Sequence, residues 1–194
     1  MEQTKEYINN KLIPLILQSG EKLEGNIFMT HRTLKYSKKF TNKIQNIINV
    51  SSTKNNILEI GFNSGFSSLL MLISNPKCNI TCVDIGVHKY TIPCYNQIKK
   101  DFGERINLIV GDSLEVVPTL IDKFDLIHID GCHHVKFAEK DIINTMPLLL
   151  PDGIVIFDDF NFPRLNKLFN KYIEIYNLKD IEMLPCKYHS IKKK

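Results

Sequence analysis

From Ile57 onward the chain alternates short apolar runs with helix-period stretches, and this alternation constrains the fold more than any other feature. The runs are 57–60 (ILEI), 79–84 (NITCVD), 106–110 (INLIV), 124–130 (FDLIHID) and 153–159 (GIVIFDD), and an amphipathic stretch follows each. Strands this apolar are buried on both faces, as in a parallel sheet covered by helices. Right-handed crossovers and short connections then give an α/β fold, doubly wound, with a mostly parallel sheet of the seven-stranded type and helices on both faces. Residues 1–55 read as an N-terminal helical lid or extension. Within it, 36–50 places Phe40, Ile44, Ile47 and Ile48 on one helical face. Residues 56–194 read as a Rossmann-like domain, so the whole is a single domain. In the tail, 181–184 (IEML) and 187–191 (KYHSI), separated by Pro185 and Cys186, are expected to close as an antiparallel pair. Lys192, Lys193 and Lys194 read as a solvated tail.

Composition excludes several classes. At 194 residues, 43% hydrophobic and 24% charged, the chain can bury the core of one domain and is not a disordered segment. Its net charge is only +4, and the last three residues supply three lysines. No clustered basic face of the kind a nucleic-acid binder needs is left. No apolar run approaches the roughly 20 residues of a membrane helix. Glu2 and Glu6, and the break at Pro14, are unlike a signal peptide, so a cytoplasmic protein is expected. The cysteines Cys78, Cys82, Cys94, Cys132 and Cys186 are odd in number and form no CxxC pair, which reads as free thiols.

In such a sheet ligands sit at the carboxyl ends of the strands. Every strand here ends in an acid or a glycine–acid pair: Glu59 to Gly61, Asp84, Gly111–Asp112, Asp130–Gly131 and Asp158–Asp159. After the first strand comes Gly61-Phe62-Asn63-Ser64-Gly65, with a helix expected from about Ser64. A bare glycine backbone followed by helical N–H groups can take a carboxylate or phosphate. Asn63 stands where the second glycine of a dinucleotide fingerprint would be, which counts against NAD. Asp84 can accept hydrogen bonds from both hydroxyls of a ribose. Asp112 and Ser113 follow the third strand, where an adenine edge would lie.

Glu59-x-Gly61-x-x-x-Gly65, the later Asp84, Gly111-Asp112-Ser113 and Pro151-Asp152-Gly153 together resemble the class I S-adenosylmethionine-dependent methyltransferases, over about residues 55–176. The resemblance implies that the loop with Glu59, Gly61, Asn63, Ser64 and Gly65 holds the methionine moiety. It implies that Asp84 takes the ribose hydroxyls, that Ile85 packs on adenine, and that Asp112 and Ser113 lie at the adenine amino group.

The fourth and fifth strands carry the chemistry. Asp130, Asp158 and Asp159 would converge if these strand ends are neighbours, and a hard divalent cation such as Mg²⁺ would relieve their repulsion. Such an ion could lower the pKa of a substrate hydroxyl. His133, three residues past Asp130, is placed to take the proton, which makes His133 and Asp130 the candidate catalytic residues. Ile129-Asp130-Gly131-x-His133, then Asp141-Ile142 and Asp158-Asp159, is similar to the small metal-dependent O-methyltransferases. That resemblance implies Asp130, Asp158 and Asp159 at a metal, Asp130 also beside the cofactor, and His133 as base. It departs from the branch at Val135, where an aromatic residue is usual.

Plainer readings stand beside these. His128 alternates into a buried strand and reads as a core histidine, and His134 reads as exposed. Asp158 and Asp159 could cap the next helix. A zinc site from Cys132, His133 and His134 is poorer, since adjacent ligands hardly span one tetrahedron. Phe137, Ile142, Ile143, Met146 and Leu149 read as core. The segment 24–32 reads as a lid, with His31 and Arg32 facing either the cofactor carboxylate, the substrate or solvent. The function expected is O-methylation of a small-molecule or sugar hydroxyl. Another acceptor class without metal, or a non-catalytic cofactor-binding domain, remains open, as does a homodimer that completes the pocket.

Overall fold

The fold is that of a computed structural model, which describes residues 1–30 and 33–194. His31 and Arg32 lie outside the described residues. Seven strands form one sheet: β1 (Asn56–Ile60), β2 (Asn79–Asp84), β3 (Ile106–Val110), β4 (Phe124–Ile129), β5 (Leu149–Asp158), β6 (Lys179–Asp180) and β7 (His189–Lys193). Their order is β3-β2-β1-β4-β5-β7-β6, parallel through β5, with β7 antiparallel to β5 and to β6. The strand order reverses between β1 and β4, which opens the crevice where this architecture binds ligands.

Helices cover both faces. The first turns, α1 (Glu2–Tyr7) and α2 (Ile13–Gln18), are joined by a π-helical turn at Ile8–Leu12. Pro14 sits at the start of α2, where its missing N–H costs least. Ile8, Leu12 and Ile16 repeat at the helical i, i+4 spacing and are fully buried. They join one apolar cluster with α3 (Thr41–Ser51), α4 (Phe66–Ser74), α5 (Thr91–Phe102) and Ile57 of β1. Asp101 of α5 fastens this extension by accepting from Tyr7 Oη and Lys11 Nζ, both at 2.7 Å. Leu58 and Ile60 point to the opposite face, where α6 (Ser113–Val116), α7 (Val135–Thr145) and α8 (Pro163–Ile175) build the second cluster. Among the described residues, no helix is long and apolar enough to cross a membrane.

The tail differs from expectation. The partner of the last strand is Lys179–Asp180, not 181–184, which runs without regular structure. The C-terminal lysines belong to the sheet. Lys192 and Lys193 pair with Val155 and Ile154 of β5 on one side and with Asp180 and Lys179 of β6 on the other, and their ammonium groups meet Asp180 and Asp152. The amphipathic stretch after β4 is also only partly core. Ile142, Met146 and Leu149 are buried, but Phe137 and Ile143 are more than a third exposed because α7 ends at Thr145 and its outer face stays in water.

One polar network runs inside the sheet. Glu59 on β1 is fully buried. Its Oε1 meets His128 Nδ1 on β4 at 2.9 Å, and its Oε2 accepts from Ser68 Oγ of α4 and, at 3.7 Å, from Cys82 Sγ of β2. Burial pushes the Cys82 thiol well up, with the adjacent Glu59 adding to the effect. Glu59 is therefore a structural tie between three strands and a helix, with both oxygens in use, and it does not line the cavity that opens over the strand ends. His128 is the core histidine its alternation suggested.

Gly61 ends β1 with φ +93°, and a Cβ built there would lie 2.0 Å from the backbone oxygen of Asp130. The β1 and β4 ends close on one another only because that atom is missing. Three stability effects should follow. Gly61→Ala is expected to cost about 2–4 kcal/mol in urea titration, from a left-handed backbone plus a backbone clash. Gly20→Ala, left-handed but with nothing within 4 Å, should cost about 1 kcal/mol. Glu59→Ala is expected to lower unfolding free energy by about 3 kcal/mol, since it strands buried donors on His128 and Ser68. An unchanged midpoint would remove Glu59 as the tie.

Candidate functional site

A cavity of about 630 Å³ opens over the carboxyl ends of β1, β4 and β5. Its floor is Gly61, Asn63 and Ser64 on one side and Asp130, Gly131, Asp158 and Asp159 on the other. Glu24 to Ile27 and Met29 line it as well, and Asn63 Nδ2 donates to Glu24 O at 2.5 Å to hold the two segments together. Asn26 Oδ1 accepts from the backbone N–H of Phe28 and Met29 and so shapes that turn.

The loop after β1 has a sharper turn than the sequence suggested. Asn63 and Gly65 both take left-handed backbone, and α4 starts at Phe66 rather than Ser64. Gly65 is required by packing: a Cβ there would lie 2.4 Å from the Phe62 ring. Gly61 is the glycine whose bare backbone faces the cavity. Asp84 Oδ2 accepts from Asn63 N and Oδ1 from Gly86 N, each at 2.7 Å, so this carboxyl group fixes the loops of β1 and β2 against one another. Each oxygen retains acceptor capacity for a ribose hydroxyl. Beside it, Ile85 is 59% exposed, an apolar platform open to solvent.

Asp112 and Ser113 lie farther along the crevice, outside the cavity lining. Asp112 caps α6 by accepting from Leu114 N at 2.9 Å, and Ser113 Oγ donates to Asp141 Oδ1 at 2.6 Å. Burial pushes the Asp141 carboxyl up to about 6, against the lowering effect of that serine.

Asp158 and Asp159 do not act together. Successive residues of a strand point opposite ways. Asp158, buried at 2% exposure, turns inward, where its Oδ2 accepts from the Lys43 ammonium and lies 3.9 Å from His128 Nε2. Asp159, with φ +57°, turns outward to His133 Nε2 at 2.5 Å. Neither caps the next helix, which starts at Pro163 with no side-chain cap. Asp130 lies between the two. Burial, and then the facing Asp158 and Asp159, raise its carboxyl well above the usual range and favour the neutral acid. Burial acts the same way on Asp158, but Lys43 and His128 overcome it and hold that group low. The Asp159 hydrogen bond raises His133 above the ordinary histidine value, against the effect of burial.

The expected divalent site does not fit this arrangement. Among the described residues the compact donor groups are His128–Asp130–Asp158 and Asp130–His133–Asp159, each within 4.8 Å, and the three carboxylates do not form one. The first group already holds the Lys43 ammonium, and the second holds no ammonium but ties Asp159 to His133. A divalent ion about 4 Å from that ammonium would meet roughly 8 kcal/mol of repulsion at the effective dielectric of such sites. The carboxyl groups are matched by Lys43 and His133 instead.

Sequence reasoning missed the other wall. Lys43, Lys39 and Phe40 from the start of α3, Phe162 before α8 and Tyr188 before β7 all line the cavity. The Phe40 ring meets Tyr188 at 5.3 Å, tilted by 59°, and Phe162 lies 5.4 Å from the His133 ring. The available signal was Lys43 itself, at i−4 from Ile47 and i−7 from Val50 on the buried stripe of α3. His134 is exposed and caps α7.

A protein-family model described as a methyltransferase domain matches residues 58–160, from β1 to just past Asp159. An O-methyltransferase of Aspergillus hancockii is 26% identical over 117 residues, 59% of this chain and 46% of the relative. A bifunctional methyltransferase of Rickettsia bellii is 35% identical over 85 residues, 44% of this chain. The match spans only 15% of that relative, so the chain spans less than half the length of either. A Podospora anserina methyltransferase solved with S-adenosylhomocysteine superposes with a TM-score of 0.68 at 19% identity, over 98% of this chain and 93% of that one. With its sheet order, its glycine loop and the family match over more than half its length, this chain belongs to the class I S-adenosylmethionine-dependent methyltransferase-domain family.

Proposed function

We propose that this protein transfers a methyl group from S-adenosylmethionine to the hydroxyl oxygen of a small molecule or sugar. The observation that carries the reading is the placement, in one cavity, of the bare Gly61 backbone and the hydrogen-bonded pair His133–Asp159. The cofactor, when bound, supplies an electrophilic methyl on a sulfonium sulfur, which keeps the electron pair of the broken S–C bond as the O–C bond forms.

The chain's own residues do the rest. The cavity is of small-ligand size, and Gly61, Asn63 and Ser64 offer close backbone approach on the cofactor side. Asp84 holds that loop in place and faces the ribose. On the acceptor side, Phe40, Tyr188 and Phe162 provide ring faces. Asp159 fixes His133 through Nε2, leaving Nδ1 to take the proton of the acceptor hydroxyl. The lid at 24–29 narrows access of water to the cavity. The acceptor hydroxyl is oriented by side chains, without a divalent ion.

Two measurements test this. Calorimetry should give micromolar binding of S-adenosylmethionine and its demethylated product, no binding of NAD, and at least about ten-fold weaker cofactor binding in Asp84→Ala. Absence of cofactor binding to the folded wild type would overturn the reading. With an acceptor found by screening, kcat/KM should rise with pH around a midpoint above the ordinary histidine value of 6.5. The base works only when neutral, so a raised pKa moves the profile to higher pH. Asp159→Asn removes the largest raising influence and should shift the midpoint down, while His133→Ala should abolish the pH step and keep cofactor binding.

A further inference from the structure

We propose that Lys43 is the resident cation of this site: its ammonium, seated on Asp158 inside the cavity, takes the position a divalent metal would need and orders the acids of β4 and β5 in its place. The role in turnover rests on the methyltransferase reading above; the exclusion of metal does not.

The placement of Lys43 is the first observation. It lines the cavity at 6% exposure, on the stripe of α3 that otherwise carries Ile44, Ile47 and Val50. Packing does not call for a lysine there. A buried ion pair is commonly no more stable than apolar side chains of similar volume, so its presence points to a task at the site. The second observation is how firmly it is delivered. One turn on, Asn46 donates to Leu184 O and accepts from Leu184 N, both at 2.9 Å, and meets His189 Nε2 at 3.0 Å. These bonds lock α3 onto the C-terminal segment and fix the height of Lys43 above β5. The third is the division of the acids. Asp158 turns to Lys43 and Asp159 to His133, while Asp130 sits between them. Asp158 thus has the Lys43 ammonium and Asp159 the His133 ring, and the two compact donor groups share only Asp130.

Lys43 is a positioning residue on this view. It holds Asp158 inward, which leaves Asp159 alone to orient His133. Removing the ammonium would leave Asp158 and Asp130 as an unbalanced acidic pair with His128 nearby, which is a ligand set for a divalent ion.

Mn²⁺ titration followed by electron paramagnetic resonance tests this on the purified full chain. Wild type and Lys43→Arg should show no site-bound Mn²⁺ up to millimolar concentrations. Lys43→Ala should acquire binding at least about ten-fold tighter than wild type, and adding Asp158→Asn should remove it again. Wild-type turnover should be unchanged by a chelator. Stoichiometric Mn²⁺ binding to wild type that Asp130→Asn abolishes would overturn the proposal, and that result needs no folded Lys43 variant. So would a folded Lys43→Ala that binds no Mn²⁺ and keeps the wild-type pH profile. Cofactor calorimetry on the same samples separates the two readings: loss of cofactor binding bears on the methyltransferase assignment, and Mn²⁺ binding bears on Lys43.

Discussion

The arrangement of the catalytic end depends on a run of buried polar groups that crosses the sheet beneath the cavity. It starts at Ser68 and Glu59, passes through His128 to Asp158, and ends at Lys43. Each group belongs to a different element: α4, β1, β4, β5 and α3. Ser68, Glu59 and His128 are joined by hydrogen bonds and Asp158 by its ion pair with Lys43, while His128 Nε2 faces Asp158 across 3.9 Å without a hydrogen bond, so the two halves are coupled through charge alone. The strand ends, and so the residues beyond them, are held in register by this chain as well as by the ladder hydrogen bonds. Asp130 and Asp159 inherit their positions from it.

The electrostatics of the site follow from the same constraint. Three carboxyl groups crowd the ends of two adjacent strands, an arrangement whose repulsion needs some compensation. A metal ion is one solution, and the sequence pattern around Asp130 and His133 points toward it. The chain uses a lysine ammonium and a histidine ring. Lys43 is buried and fixed, and it serves Asp158. His133 is more exposed, and it serves Asp159 through a single ring nitrogen. Because histidine titrates near neutrality and lysine does not, the outer pair can exchange a proton while the inner pair stays constant. That asymmetry suits an inner scaffold beneath an outer base.

The sheet was legible in the sequence because five apolar runs leave a parallel, doubly covered sheet as the economical solution, and all five appear as strands. The turn after β1 was also legible, since glycines and acids at strand ends report on backbone approach and charge through local spacing alone. Glu59 shows the limit of that logic. It stands within the motif, yet strand alternation points it into the interior, where its partners lie 9, 23 and 69 residues away. Lys43 and Tyr188 were invisible for the same reason: they come from opposite ends of the chain and meet only after the sheet has formed. The edge strands were misplaced because β6 is two residues long and carries no apolar pattern.

This separation of local and non-local residues has a functional counterpart. The cofactor side is built from consecutive strand–loop–helix units, and changes there would strain backbone that Gly61 and Gly65 allow only narrowly. The acceptor wall comes from segments outside the central sheet: the start of α3 with Lys39 and Phe40, the turn at Phe162, and the approach to β7 at Tyr188. Their ring contacts, Phe40 on Tyr188 and Phe162 against His133, are side-chain packing rather than ladder bonds. Side chains at such positions can be exchanged without moving the strand ends. On the proposed function, acceptor choice is separable from methyl-donor binding, with Lys43 as the boundary between them: one turn away from Phe40 on the cavity wall, and paired with Asp158 at the end of β5.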